Sequence, residues 1–163
     1  MMCSMRVILI GVSGVGKTAV GHRVADALSI TFADADDYHS QGNVQKMRAG
    51  LPLTDSDRWP WLDRLNTFLK QQDHGCILAC SALKSVYRDR LVAGLEGVRW
   101  VYLKADRDTL LKRMQQREHF MPASLLDSQL SILNPPTDDQ VLTVDATFSL
   151  DQVVVDVLDA LSK

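Results

Sequence analysis

The sequence has 163 residues, 46% of them hydrophobic and 23% charged, which excludes a disordered or fibrous chain. That length fits one domain, residues 1–163, burying roughly 70% of the surface its unfolded form exposes. A formal net charge of −2, with both signs interspersed, offers no broad basic face to a nucleic acid, and no apolar run approaches a membrane span.

The apolar run at 7–10 is also too short for a signal-peptide core. Cys76 and Cys80 fall on one predicted strand, roughly 13 Å apart at the strand rise, so they cannot bridge each other. Unbridged cysteines favour a reducing compartment, and the expectation is a cytoplasmic protein without membrane or nucleic-acid partners.

The first predicted strand, 6–10, runs into Gly11-Val12-Ser13-Gly14-Val15-Gly16-Lys17-Thr18. This is a complete Walker A pattern, placed between a buried strand and an opening helix as its mechanism requires. The glycines let backbone N–H groups turn toward phosphates and the helix N-terminus adds a favourable dipole. Lys17 reaches the β and γ phosphates of ATP, and the Thr18 hydroxyl is a ligand for Mg²⁺. Val20, Val24 and Leu28 mark the helix that follows.

A second strand, 30–33, leads into Asp34-Ala35-Asp36-Asp37-Tyr38-His39. In a parallel sheet these carboxylates reach the same edge as the phosphate loop, where open α/β sheets bind ligands. If the extended conformation continues, Asp34 and Asp36 face the same way. One then serves the metal (Asp34) and the other (Asp36) takes the proton of an attacking hydroxyl. The competing interpretation is a polar turn that caps a helix.

Trp61, Leu62, Leu65, Phe68 and Leu69 mark a helix, with Trp59 and Trp61 as packing residues. Strands follow at 76–80 and 98–103, then helical periodicity at Leu110, Leu111 and Met114 and at Leu125, Leu126, Leu130 and Leu133. Pro135, Pro136, Asp138 and Asp139 form a loop before a fifth strand at 140–144. The closing helix carries Leu150, Val153, Val154, Val157, Leu158 and Leu161, with Ser149 and Gln152 as a capping box. Strands and helices alternate throughout, which predicts an α/β fold: a five-stranded parallel sheet covered by helices on both faces.

A GTPase would add Asn-Lys-x-Asp and Asp-x-x-Gly, and neither occurs. The length leaves little room for the coupling domains of a mechanical ATPase, so a small kinase leads. Arg58 and Arg88 suit a carboxylate on the acceptor, since an arginine fork binds one bidentately; without such a substrate both are solvated helix charges. Lys84 either touches substrate or lies along a helix face. Arg113 and Arg117, four apart on one helix face, are expected to reach the nucleotide phosphates as a lid closes.

Several segments together resemble the gluconate kinase (gluconokinase) family. They are the phosphate loop, Asp34 to His39, Asn43 with Lys46-Met47, Gly50 to Arg58, Pro60-Trp61-Leu62, Cys80-Ser81-Ala82-Leu83-Lys84, Tyr87-Arg88-Asp89, His119-Phe120-Met121 and Gln129. Shikimate kinases are similar in topology but resemble a glycine triplet where this chain has Ser81-Ala82-Leu83. The resemblance implies a P-loop kinase fold with strand order 2-3-1-4-5, a small lid at about 113–124, and a homodimer.

It also implies transfer of the ATP γ-phosphoryl group to the 6-hydroxyl of D-gluconate. Lys17, Asp36 and Arg117 would be catalytic, and His39, Arg58, Lys84, Arg88 and His119 would bind substrate. The chain departs from the family at Arg117-Glu118-His119-Phe120, which is one residue shorter and lacks a hinge glycine. Two alternatives stay open: a kinase of this fold for shikimate or a nucleoside monophosphate, and a nucleotide-binding regulatory module.

Overall fold

The computed structural model describes residues 5–12, 14–116, 123–136 and 141–163. In chain order the first half comprises β1 (Arg6–Ile10), α1 (Lys17–Leu28), β2 (Thr31–Asp34), a 3₁₀ turn (Ala35–Tyr38), α2 (Gln41–Arg48) and α3 (Asp55–Lys70). The second comprises β3 (Cys76–Cys80), α4 (Ser85–Leu91), β4 (Arg99–Lys104), α5 (Arg107–Gln115), α6 (Ala123–Ile132), β5 (Val141–Asp145) and α7 (Leu150–Leu161). All four strand pairings are parallel, in the order β2-β3-β1-β4-β5. Parallel neighbours need crossovers, which the helices supply, and every strand therefore ends at the same edge.

The central strand explains the two-sided core. Val7 and Leu9 enter one core with Val20 and Val24 of α1 and Val153 and Val157 of α7. Ile8 and Ile10 enter the other with Trp61, Leu62, Leu65 and Leu69 of α3 and Tyr87 and Leu91 of α4. The side-chain period of two divides β3 and β4 likewise: Ile77, Val101 and Leu103 go to the first core, Cys76, Leu78, Cys80 and Tyr102 to the second. With both faces covered, a continuous apolar run is what such a strand requires. Each fully buried Leu, Ile or Val contributes about 1.5–3 kcal/mol.

Helix ends account for the differences from expectation. Ser29 closes α1 in the left-handed conformation, φ 57°, and the Ile30 N–H returns to Ala25 O at 3.0 Å. That 6→1 closure takes the Ile30 donor, so the β2 ladder begins at Thr31 rather than at the expected residue 30. Helix α3 begins at Asp55, well before its first buried residue, because Thr54 caps it in a reciprocal box with Asp57. At α7 only half of the expected box forms: Ser149 Oγ accepts from the Gln152 N–H at 3.3 Å, but the Gln152 side chain donates to Asp156 Oδ1 at 2.8 Å. Among the described residues no helix is long and apolar enough to cross a membrane.

Candidate active site

The carboxyl ends of β1, β2 and β3 open onto a cleft of ≈ 230 Å³. Gly14, Gly16, Lys17, Thr18, Asp34, Asp36, His39, Arg58, Ser81 and Tyr87 line it, with Met47, Leu51, Pro52 and Leu53 as an apolar wall and Ser128, Gln129 and Ile132 coming from α6. The sequence places Lys17, Thr18, Asp34, Asp36, His39 and Arg58 here and the structure does bring them together.

The phosphate loop leaves the end of β1 and turns at Gly14 and Val15 into α1. A Cβ on Gly11 would come within 2.9 Å of both Leu103 O and Val15 Cγ1, so the loop crosses β4 too closely for any side chain. Gly16 caps α1 at φ 102°, a left-handed conformation that leaves no side chain over the helix N-terminus. Lys17 Nζ donates to Gly11 O at 2.8 Å and Val12 O at 3.2 Å, bracing the loop around its ammonium. Ser13 lies outside the described residues. An exposed helix N-terminus with an ammonium beside it is a site for phosphate oxygens.

Thr18 Oγ1 donates to Asp34 Oδ2 at 2.8 Å, while Asp34 Oδ1 accepts from the Asp36 N–H at 2.9 Å. Asp34 is thus both the turn cap and the partner of the Walker threonine. The 3₁₀ turn begins at Ala35, so the extended chain does not carry on to Asp36 and the expected common facing of the two carboxylates is replaced by this cap. Hydroxyl and carboxylate together are a hard oxygen donor set, and they fit Mg²⁺, which binds through one or two protein oxygens plus phosphates.

Asp36 is open to the cleft by surface area, yet protein atoms crowd it within the concavity. That desolvation raises its pKa above the ordinary carboxylate value; Asp34 adds to the shift and Lys17 opposes it.

His39 stacks on Trp61 with ring centroids 4.2 Å apart and planes 14° from parallel. Trp61 is itself fixed by Nε1 donating to Ala35 O at 2.7 Å. Asn43, 6% exposed, donates from Nδ2 to Asp57 O at 2.9 Å and lies 3.2 Å from His39 Nδ1. A carbonyl can only accept, so the Asn43 amide presents N–H groups, and His39 Nδ1 must be the acceptor. The ring proton then sits on Nε2. Burial first, then the charges of Arg58 and Arg64, push the His39 pKa down to about 4, and the imidazole is a neutral donor at neutral pH.

Three basic residues occupy other positions than expected. Arg88 does not line the cleft; it donates to Ala82 O at 2.8 Å, Leu83 O at 3.2 Å and Asn134 O at 2.9 Å. These bonds hold Ala82, buried at φ 38°, in a left-handed conformation that costs a non-glycine residue roughly 1–3 kcal/mol. Lys84 also stays out of the cleft, 3.7 Å from Asp55 and 5.5 Å from the Tyr87 ring centroid.

Arg113 donates to Val15 O at 3.2 Å and Phe148 O at 3.3 Å, tying the phosphate loop to the β5–α7 loop rather than reaching across the cleft. It borders a neighbouring hollow of ≈ 350 Å³ shared with Gly14, Gln116, Ala146 and Phe148. Arg117 and His119 lie outside the described residues.

Tyr87 was absent from the expected ligands although it lines the cleft; a buried tyrosine carries no periodicity signal that separates core from site. Its hydroxyl bonds both Arg58 and Asp55. Burial, then the bond to Asp55, pushes the phenol up to about 12, so it keeps its proton.

A family profile described as an AAA domain matches residues 7–136. The thermosensitive gluconokinase of Escherichia coli (strain K12) is 48% identical over 82% of this chain and 73% of its own length. A crystal structure of a gluconokinase from Sinorhizobium meliloti 1021 superposes with TM-score 0.91 at 37% identity, covering 99% of this chain and 94% of that one.

The chain belongs to the gluconokinase family.

A shikimate kinase from Bacteroides thetaiotaomicron reaches TM-score 0.70 at 14% identity over 98% and 99% of the two chains, and shares the fold alone. The gluconokinase resemblance therefore extends over the whole sheet and cleft just described. It also covers the segments 43–47 and 50–58 that build the apolar wall and carry Arg58.

Proposed function

We propose that the chain is an ATP-dependent gluconokinase, transferring the γ-phosphoryl group to the 6-hydroxyl of D-gluconate to give 6-phospho-D-gluconate and ADP. One observation carries this: a single cleft is lined at once by Lys17, Thr18 and Asp34 for a metal–nucleotide, by Asp36 for a hydroxyl, and by Arg58 for a carboxylate. The phosphate loop backbone, Lys17 and the α1 N-terminus hold the phosphates. Thr18 and Asp34 would hold Mg²⁺, which neutralises charge on the phosphate oxygens when bound.

Asp36 accepts the acceptor hydroxyl proton as the new oxygen–phosphorus bond forms and the bond to ADP breaks. Its raised pKa makes it a better proton acceptor than an ordinary aspartate. The transition state is loose, so orientation of the hydroxyl matters as much as the proton transfer. His39 Nε2–H donates to an oxygen of the polyol. Arg58 takes the carboxylate. Arg113 supports the nucleotide side indirectly, and Arg117 and His119 stand as lid residues on the sequence match.

The unbridged Cys76 and Cys80, pushed up to about 11 and about 12 by burial, support a reducing, cytoplasmic setting. The family resemblance supports a homodimer, and sedimentation equilibrium checks it.

The test is ADP release from Mg-ATP with D-gluconate, in parallel with Asp36→Asn. The parent should turn over only when gluconate is present, and the variant roughly 10²-fold more slowly with ATP affinity kept. Gluconate-independent ADP release by the parent would refute the function; an undiminished variant would remove Asp36 from the mechanism.

A further inference from the structure

The hydroxyl of Tyr87 is committed on both sides. It donates to Asp55 Oδ1 at 2.5 Å and accepts from Arg58 Nη1 at 2.9 Å. The direction is set by chemistry: a carboxylate and a guanidinium can each play only one part, so the phenol proton lies toward Asp55 and a lone pair toward Arg58. The second Nη1 hydrogen goes to Leu53 O at 2.8 Å. Both hydrogens of Nη1 are therefore used, and the Nε and Nη2 edge makes no hydrogen bond to another described residue. Arg58 lines the cleft with its side chain 17% exposed.

Asp55 is the natural competitor for that edge. Its Oδ1 is 3.8 Å from Arg58 Nη1, outside hydrogen-bond distance, because each charged group bonds the phenol oxygen instead. Elsewhere between α3 and α4 a guanidinium and a carboxylate with no phenol between them do meet. Arg90 of α4 closes on Asp63 of α3 as a bidentate fork at 2.8 and 2.9 Å. A guanidinium folded onto a carboxylate in that way has one edge fewer for a ligand.

We propose that Tyr87 is a positioning residue whose hydroxyl keeps Arg58 from collapsing onto Asp55, and so keeps the guanidinium edge turned to the carboxylate of the sugar-acid acceptor. This rests on the gluconokinase reading and on Arg58 as the carboxylate ligand. The ring has a separate, packing role, with Trp59 at 5.8 Å edge-on and Arg58 at 5.0 Å over its face.

Tyr87→Phe keeps the ring and removes only the spacer. Steady-state kinetics should show KM for gluconate rising roughly tenfold, with kcat and KM for ATP within about twofold of the parent. Adding Asp55→Ala removes the competing carboxylate and should bring KM for gluconate back to within about threefold of the parent. A merely structural role would lower Tm, shift both substrates together and not be rescued.

An unshifted KM in Tyr87→Phe, or a rise that persists in the double variant, overturns the proposal. If Tyr87→Phe does not fold, the double variant is compared with Asp55→Ala alone; the two should share one KM, and a higher value in the double variant overturns it. A parent without gluconate turnover overturns the functional reading and this inference with it, whereas a normal parent beside an unshifted Tyr87→Phe overturns this inference alone.

Discussion

His39 shows how a few neighbours decide the chemistry of one side chain. The Asn43 amide N–H facing Nδ1 is incompatible with a proton there, and burial on Trp61 together with Arg58 and Arg64 disfavours the cation. The folded pKa of about 4 lies below the ordinary 6.5, so between these values the unfolded chain binds more protons at this residue. Stability from this source is present above pH 6.5 and is lost as pH falls toward 4. Thermal melts should show Tm of the parent dropping further than that of His39→Gln across this window; parallel curves would show that His39 does not titrate as its surroundings require.

At this scale the sequence was informative where chemistry restricts the residue type. Lys17, Thr18, Asp34 and Asp36 could be read from the Walker pattern and its acidic neighbour. Arg58 and Arg88 could not be told apart, because composition and spacing are silent on which guanidinium lines the cleft. Tyr87 was hidden for the related reason that a buried aromatic looks the same in a core and in a cleft wall.

Among the elements, the ends mattered more than the middles. Apolar periodicity marks this helix only from Trp61, whereas the Thr54–Asp57 box, which periodicity does not register, starts it at Asp55. The cap sets the beginning of α3 and brings Arg58 into its first turns, beside the apolar wall. Strand β2 shifted by a residue because the closure of α1 took the Ile30 donor, a competition between adjacent elements that no single-strand pattern records.

Arg113 links two further elements, clamping the phosphate loop to the loop before α7. Arg113→Ala should loosen the nucleotide side alone: KM for ATP rises roughly tenfold, about 1.4 kcal/mol, while KM for gluconate stays within about twofold. An equal rise for both substrates would mean that the clamp supports the whole cleft instead.

For the whole molecule, alternating strand and helix signals were enough to predict the parallel sheet, since a strand buried on both faces has few other homes. The strand order came from the family resemblance and is the order observed. The parallel sheet ends all five strands at one edge, and beyond the ends of β1, β2 and β3 the phosphate loop, Asp36 and Arg58 share a cleft. On the proposed reading an acidic polyol would lie there with its carboxylate at Arg58 and a hydroxyl at Asp36.

The most direct test is to isolate the product formed from ATP and D-gluconate and read the phosphorylated carbon by proton–phosphorus correlation NMR. Correlation of the new phosphorus signal with the protons on C6 is the expected result; a phosphoryl group on any other carbon, or unmodified gluconate beside consumed ATP, would contradict the account.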